Sequence, residues 1–147
     1  MSTDEVVVAD LVETLEDGRE GFAKGADKLA TDAPEIAATF RRFSEQRASF
    51  SAELRSMANS YGDDVDQSGS IAAKLHRGWM SLKDALAGSG PDGVLDAAEQ
   101  GEDHAVKEYQ QALDSDLSAE LRAVVERQFT DVKAAHDDVR ALRERRN

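Results

Sequence analysis

The sequence predicts an all-α, antiparallel helical bundle. Three observations lead there. Apolar residues recur in steps of three and four over four long stretches, two junctions between those stretches are short turns, and one is a connection of about thirty residues. Strand formers are scarce: only 5% of residues are aromatic, β-branched residues are few, and alanine is abundant with just 2 prolines. A chain of 147 residues is long enough to bury one continuous core without disulfides or metals, so 1–147 reads as a single domain.

The first helix opens at Ser2-Thr3-Asp4-Glu5, which has capping-box spacing, and runs to about residue 30 on a seam of Val8, Leu11, Leu15, Gly18, Phe22, Gly25 and Leu29. Glycine inside a helix costs about 1 kcal/mol relative to alanine, so Gly18 and Gly25 mark places where a neighbouring helix comes close. Asp32, Pro34 and Glu35 restart the chain as a second helix after a short turn. Its seam is Ile36, Phe40, Phe43, Arg47, Phe50, Leu54, Met57 and Tyr61, with one charged residue in the middle. The polar segment 62–69 ends it. Ile71, Leu75, Gly78 or Trp79, Leu82 and Leu86 then form a shorter helix of roughly 17 residues, about 25 Å long, which stops at Gly88-Ser89-Gly90-Pro91. A third helix begins near Asp92 on Leu95, Ala98, Glu102, Ala105, Tyr109 and Ala112. After the Asp114-Ser115-Asp116 turn, a fourth presents Leu121, Val125, Gln128, Val132, Ala135, Val139 and Leu142.

Short hairpins at both ends and a long middle link are the topology of a ferritin-like antiparallel four-helix bundle, with an extra short helix in the crossover between the second and third helices. A five-helix array, with the crossover helix as a full core member, fits the same pattern.

Composition narrows the function. With 18 basic against 30 acidic side chains, the net charge of -12 repels phosphate backbones and anionic lipid, so neither nucleic acid nor a membrane is an expected partner. No cysteine means no disulfide, thiolate metal site or cysteine catalysis, and suits a reducing compartment. The acidic opening MSTDEVVVADLVETLED resembles no secretory or transit peptide, and no stretch is long enough to span a bilayer. The expected location is cytoplasmic.

Three residues break the apolar seams near the middle of their helices: Arg47, Glu102 and Gln128. Buried charges must be paired, so the economical reading is one buried polar layer in which Arg47 meets Glu102, Gln128 completes the hydrogen bonds, and Gly18 leaves room for the arginine. With the helical phase shifted by one position, Arg47 would instead extend to solvent. Carboxylate-bridged di-iron bundles take a glutamate from each of two helices and Glu-x-x-His from each of the other two. Here the residues three before His76, His104 and His136 are Ala73, Gly101 and Lys133, and Glu13 and Glu20 fall on the outer face of the first helix. The expected cofactor is therefore none. The alternative is iron or another divalent metal on an unconventional set of Glu102, His136 and Glu45.

Other motifs are weaker. Asp64, Asp66, Ser68, Gly69 and Ile71 follow the first half of a calcium loop, but its twelfth position, where a bidentate glutamate belongs, is Leu75. No serine sits in a nucleophile elbow, and no glycine-rich phosphate loop follows a strand. The arginines 140, 143, 145 and 146 are what a helix C-terminus favours in any protein.

Three stretches, SGSIAAKLHRGWMSLK (68–83), GEDHAVKEY (101–109) and HDDVRAL (136–142), together resemble an uncharacterised bacterial family of ferritin-like four-helix-bundle proteins, a domain of unknown function. The resemblance spans nearly the whole chain, with Leu75-His76-Arg77-Gly78-Trp79 as its most specific part. It implies a ferritin-like fold and brings no activity. Within that block, His76, Arg77 and Trp79 need not all be buried by one chain, so they are candidates for an interface, a homodimer through the crossover helix. The expected function is a non-enzymatic bundle, stress-associated or partner-binding, with an internal Arg47–Glu102 ion pair in place of a metal site; the alternative is a metal-dependent oxidase or iron-handling protein.

Overall fold

The computed structural model describes residues 3–60 and 90–146, and these form four helices: α1 (Thr3–Leu29), α2 (Pro34–Ser60), α3 (Pro91–Asp114) and α4 (Ala119–Arg146). The described residues hold no strand. The predicted crossover helix, the calcium-like sequence at 64–75 and the block of His76, Arg77 and Trp79 lie outside the described residues.

Each junction has a local cause. After Leu29 the backbone N–H of Ala33 donates to the Leu29 carbonyl at 2.8 Å, closing α1, and the Ala33 carbonyl accepts from Ala37 at 3.0 Å, opening α2. Pro34 occupies the first position of α2, where its missing N–H costs nothing. Pro91 does the same for α3, behind Gly90 as a cap that has no side chain to offer. Ser118 Oγ accepts from the Leu121 N–H at 3.3 Å at the start of α4, while the Ser118 N–H donates to Asp4 Oδ1 at 3.0 Å and ties that turn to the first turn of α1. Arg122 reaches back to the carbonyls of Leu113 (3.0 Å) and Ser115 (2.8 Å), satisfying acceptors at the C-terminal end of α3.

Helix α1 packs extensively on α2, α3 on α4, and α1 also on α3, while α2 meets α4 more sparingly. Partners run in opposite order along α1 and α2: Asp27 meets Arg41, Arg19 meets Ser44 and Glu16 meets Arg55. Asp96 with Arg143, Asp103 with His136 and Tyr109 with Gln128 follow the same rule along α3 and α4.

The core is divided. One apolar cluster joins Val8, Leu11 and Leu15 of α1 to Leu54, Tyr109, Leu121 and Val125; the other joins Phe22 and Leu29 to Ile36, Phe40, Leu95, Ala98 and Val139. Phe22 stands edge-on to Phe40 and Phe43, at 5.1 and 5.3 Å between ring centroids. Between the clusters lie Gly18, Arg47 and Glu102.

The two seam glycines behave differently. A methyl on Gly25 would stand 3.0 Å from Phe40 Cδ2, 3.1 Å from Cε2 and 3.3 Å from Val94 Cγ1, whereas one on Gly18 would meet Arg47 Nη1 at 3.4 Å and Cγ at 3.7 Å, ordinary contact. Gly18 thus leaves room for alanine. Gly25→Ala should unfold below wild type in urea, because overpacking costs about 1–3 kcal/mol and outweighs the helix-propensity gain of about 1 kcal/mol. Gly18→Ala should unfold at or above wild type. The reverse order would show that these spaces are not as tight and as loose as described.

Candidate functional site

The three-four seam of α2 carries Phe43, Arg47 and Phe50 into the interior, and that of α3 does the same for Ala98, Glu102 and Ala105. Arg47 and Glu102 meet there. Nη1 donates to Oε1 and Nη2 to Oε2, both at 2.7 Å, and each side chain is 1% exposed. This fork-to-fork geometry is the strongest form of an arginine–carboxylate contact. Because α2 and α3 are not among the closely packed helix pairs, the contact crosses the bundle on its diagonal, which the length of arginine makes feasible. The guanidinium carbon stands 5.4 Å from the Phe22 ring centroid, within cation–π range, and Nε donates to Gln46 Oε1 at 3.3 Å. Desolvating two charges is expensive, so a bidentate pair, with Nε held by Gln46 as well, is the arrangement that can tolerate it.

Gln128 is equally buried, but it belongs to a different network. Its Oε1 accepts from the Tyr109 hydroxyl at 2.8 Å, and its Nε2 donates to Glu53 Oε1 at 2.8 Å and to the Phe50 carbonyl at 3.4 Å. Glu53 continues the chain outward to Arg127. The single layer read from the sequence is corrected here. It assumed that helix midpoints align, whereas the short turn before Ala119 pairs the end of α3 with the start of α4. Register then places Gln128 beside Tyr109 and brings His136 to the level of Asp103. Burial pushes the Tyr109 phenol far above its ordinary range, the positive charge of Arg47 opposes this, and Glu53 and Glu102 add to it; the hydroxyl is a neutral donor. Sequence reasoning missed Glu53, though a seam tyrosine signals a hydroxyl that needs a buried partner.

A family model described as a domain of unknown function (DUF2383) matches residues 6–115, well over half of the 147. The chain belongs to this family. No match is found among curated proteins. The DUF2383 match takes in Arg47, Glu53, Glu102 and Tyr109 and stops before Gln128 and His136.

The alternative metal set does not assemble. Both oxygens of Glu102 are engaged by Arg47, Glu45 is exposed, and His136 directs Nε2 to Asp103 Oδ1 at 2.6 Å and Nδ1 to Asp137 Oδ1 at 3.2 Å. Among the described residues no group of three or more histidine, aspartate or glutamate side chains is placed to hold a metal ion. A second charged cluster lies on the α1–α2 face, where Glu16 accepts from Arg55 at 2.6 Å, Arg19 at 2.5 Å and Ser51 at 3.4 Å. Its two arginines share one carboxylate and are both partly exposed.

Two predictions follow from this geometry. Arg47→Met and Glu102→Leu should each lower unfolding free energy by about 3–5 kcal/mol, since each strands a buried charge, while the double variant should recover most or all of the loss. Equal midpoints in urea for all three and wild type would mean that the pair is solvated. For His136, desolvation favours the neutral ring, but the hydrogen bonds to Asp103 and Asp137, with the charges of Asp103 and Glu102, outweigh it and raise the pKa. A raised folded-state value gives stability that is fully present below the unfolded value of about 6.5 and lost as pH rises through the folded one. The Tm advantage of wild type over His136→Asn should therefore shrink as pH is raised above neutrality; a constant difference would contradict the bridge.

Proposed function

We propose that this chain is a single-domain, ferritin-like antiparallel bundle with a non-enzymatic role, partner-binding or stress-associated, in which the Arg47–Glu102 ion pair takes the place of a metal site. The observation that carries the reading is the bidentate contact at 2.7 Å between two side chains sealed from solvent.

The opposite order of contacts along α1/α2 and α3/α4 supports the antiparallel topology. So does the placement of ends: Asp4 lies at the α3–α4 turn and Gly25 beside Val94, so α2 finishes at one end of the bundle and α3 starts at the other. That is the one-crossover arrangement of ferritin-like folds. Against a di-iron role stand the donor chemistry and the charge. About six inward ligands from four helices are needed, and Glu-x-x-His is absent from the sequence. An arginine guanidinium keeps its charge at any physiological pH and repels divalent cations from the space it fills. A cytoplasmic setting is supported by the lack of cysteine, and among the described residues no helix is long and apolar enough to cross a membrane. The net charge of -12 argues against nucleic acid.

The test is anaerobic ferrous titration of protein purified without chelators, followed by oxygen uptake. The reading predicts no tight stoichiometric iron and no oxygen consumption above the buffer rate. Two equivalents of tightly bound iron per chain, with oxygen consumed on ferrous addition, would overturn it.

A further inference from the structure

We infer that the Arg47–Glu102 pair is a register lock: it selects which turn of the α1–α2 hairpin faces which turn of the α3–α4 hairpin, a role that holds whether or not the bundle binds a partner. The apolar clusters on either side of the pair are built mainly from alanine and aliphatic residues in a repeating three-four pattern, with phenylalanines in both. Such seams tolerate displacement by a heptad, because one apolar layer substitutes for another. The hairpins are joined by about thirty residues, a number long enough in itself to span a displacement of about 10 Å.

The pair does prevent it. Sliding by one heptad in either direction would set Arg47 against Leu95 or Tyr109, and Glu102 against Phe40 or Leu54, all of them buried. Two charges would then be stranded without water or partner. Two further polar ties between the hairpins, Asp4 to Ser118 and Glu53 to Arg127, are solvent-exposed, so water replaces them when they break. The bonds from sealed Gln128 to the Glu53 carboxylate and to the Phe50 carbonyl add a second tie between the hairpins, whose charge lies at the end that Arg127 and water can reach. Among the described residues, only Arg47 and Glu102 join two fully sealed charges across the diagonal, and a buried polar contact that fixes register is the best-attested use of such groups.

The chain contains no cysteine, so spin labels can be placed one pair at a time. Ser49 on α2 and Gln100 on α3 are exposed and flank the pair. With both changed to cysteine and labelled, pulsed electron–electron resonance on the otherwise wild-type chain should give one narrow distance distribution. In Arg47→Met/Glu102→Leu the helical circular dichroism should persist while the distribution broadens or gains a second population from hairpins displaced by about 10 Å, seven residues at 1.5 Å each. Arg47→Leu/Glu102→Met, with the two side chains exchanged, guards against a packing fault peculiar to one choice. A single wild-type distribution in either folded double variant would overturn the lock. Loss of helicity in both would overturn it equally, since the pair would then be holding the fold together rather than choosing among its registers.

Discussion

A charge enclosed by protein on all sides must meet its opposite, and the interior of this bundle is organised around one instance of that rule. Arg47 reaches across the diagonal from α2, and Glu102 receives it from α3. Helix α1 contributes Gly18 beside the guanidinium and Phe22 as an aromatic face for it. The two apolar clusters begin where the charged layer ends. Stability resides mainly in those clusters, because a buried ion pair offsets its own desolvation cost with little to spare. What the pair adds is selectivity, since every arrangement that separates the two charges is penalised.

The second polar network works by a different principle. Tyr109, Gln128 and Glu53 form a chain of hydrogen bonds that starts from a sealed phenol and emerges at Arg127 on the surface. Each buried atom in it has a partner, and the charge is carried at the end that water can reach. The same logic governs Glu16 with Arg19 and Arg55, and Arg143 with Asp96 and Glu99. A strongly acidic chain thus spends several of its arginines neutralising carboxylates between helices. Among the described residues no group of three or more histidine, aspartate or glutamate side chains is placed to hold a metal ion.

The four long helices were legible in the sequence because their seams are long and regular, and the turns because Pro34 and Pro91 stand at first-turn positions. The oddity of Arg47 and Glu102 was legible for the same reason: a charge in an apolar seam is conspicuous. Depth was less so. Periodicity within a helix says which face a residue occupies but not which residue of the neighbour stands level with it, and that depends on turn geometry. Gln128 was therefore grouped with the pair, when the tight α3–α4 turn places it beside Tyr109. Glu53 was overlooked because its position lies outside the three-four seam and only its carboxylate reaches inward. Membership of the DUF2383 family supports the reading of a domain of unknown function and carries no activity.

If the account is right, the centre of this protein is an ion pair that never meets solvent. The most direct measurement is nuclear magnetic resonance of the arginine side chains in protein labelled with nitrogen-15. A guanidinium held by two hydrogen bonds at 2.7 Å and 1% exposed should show separate, slowly exchanging Nη–Hη signals at neutral pH, with nuclear Overhauser contacts to the Phe22 ring, and these should vanish in Arg47→Met. A set of arginine Nη signals that all exchange rapidly with water, none distinguished by the loss of Arg47, would contradict the account at its centre.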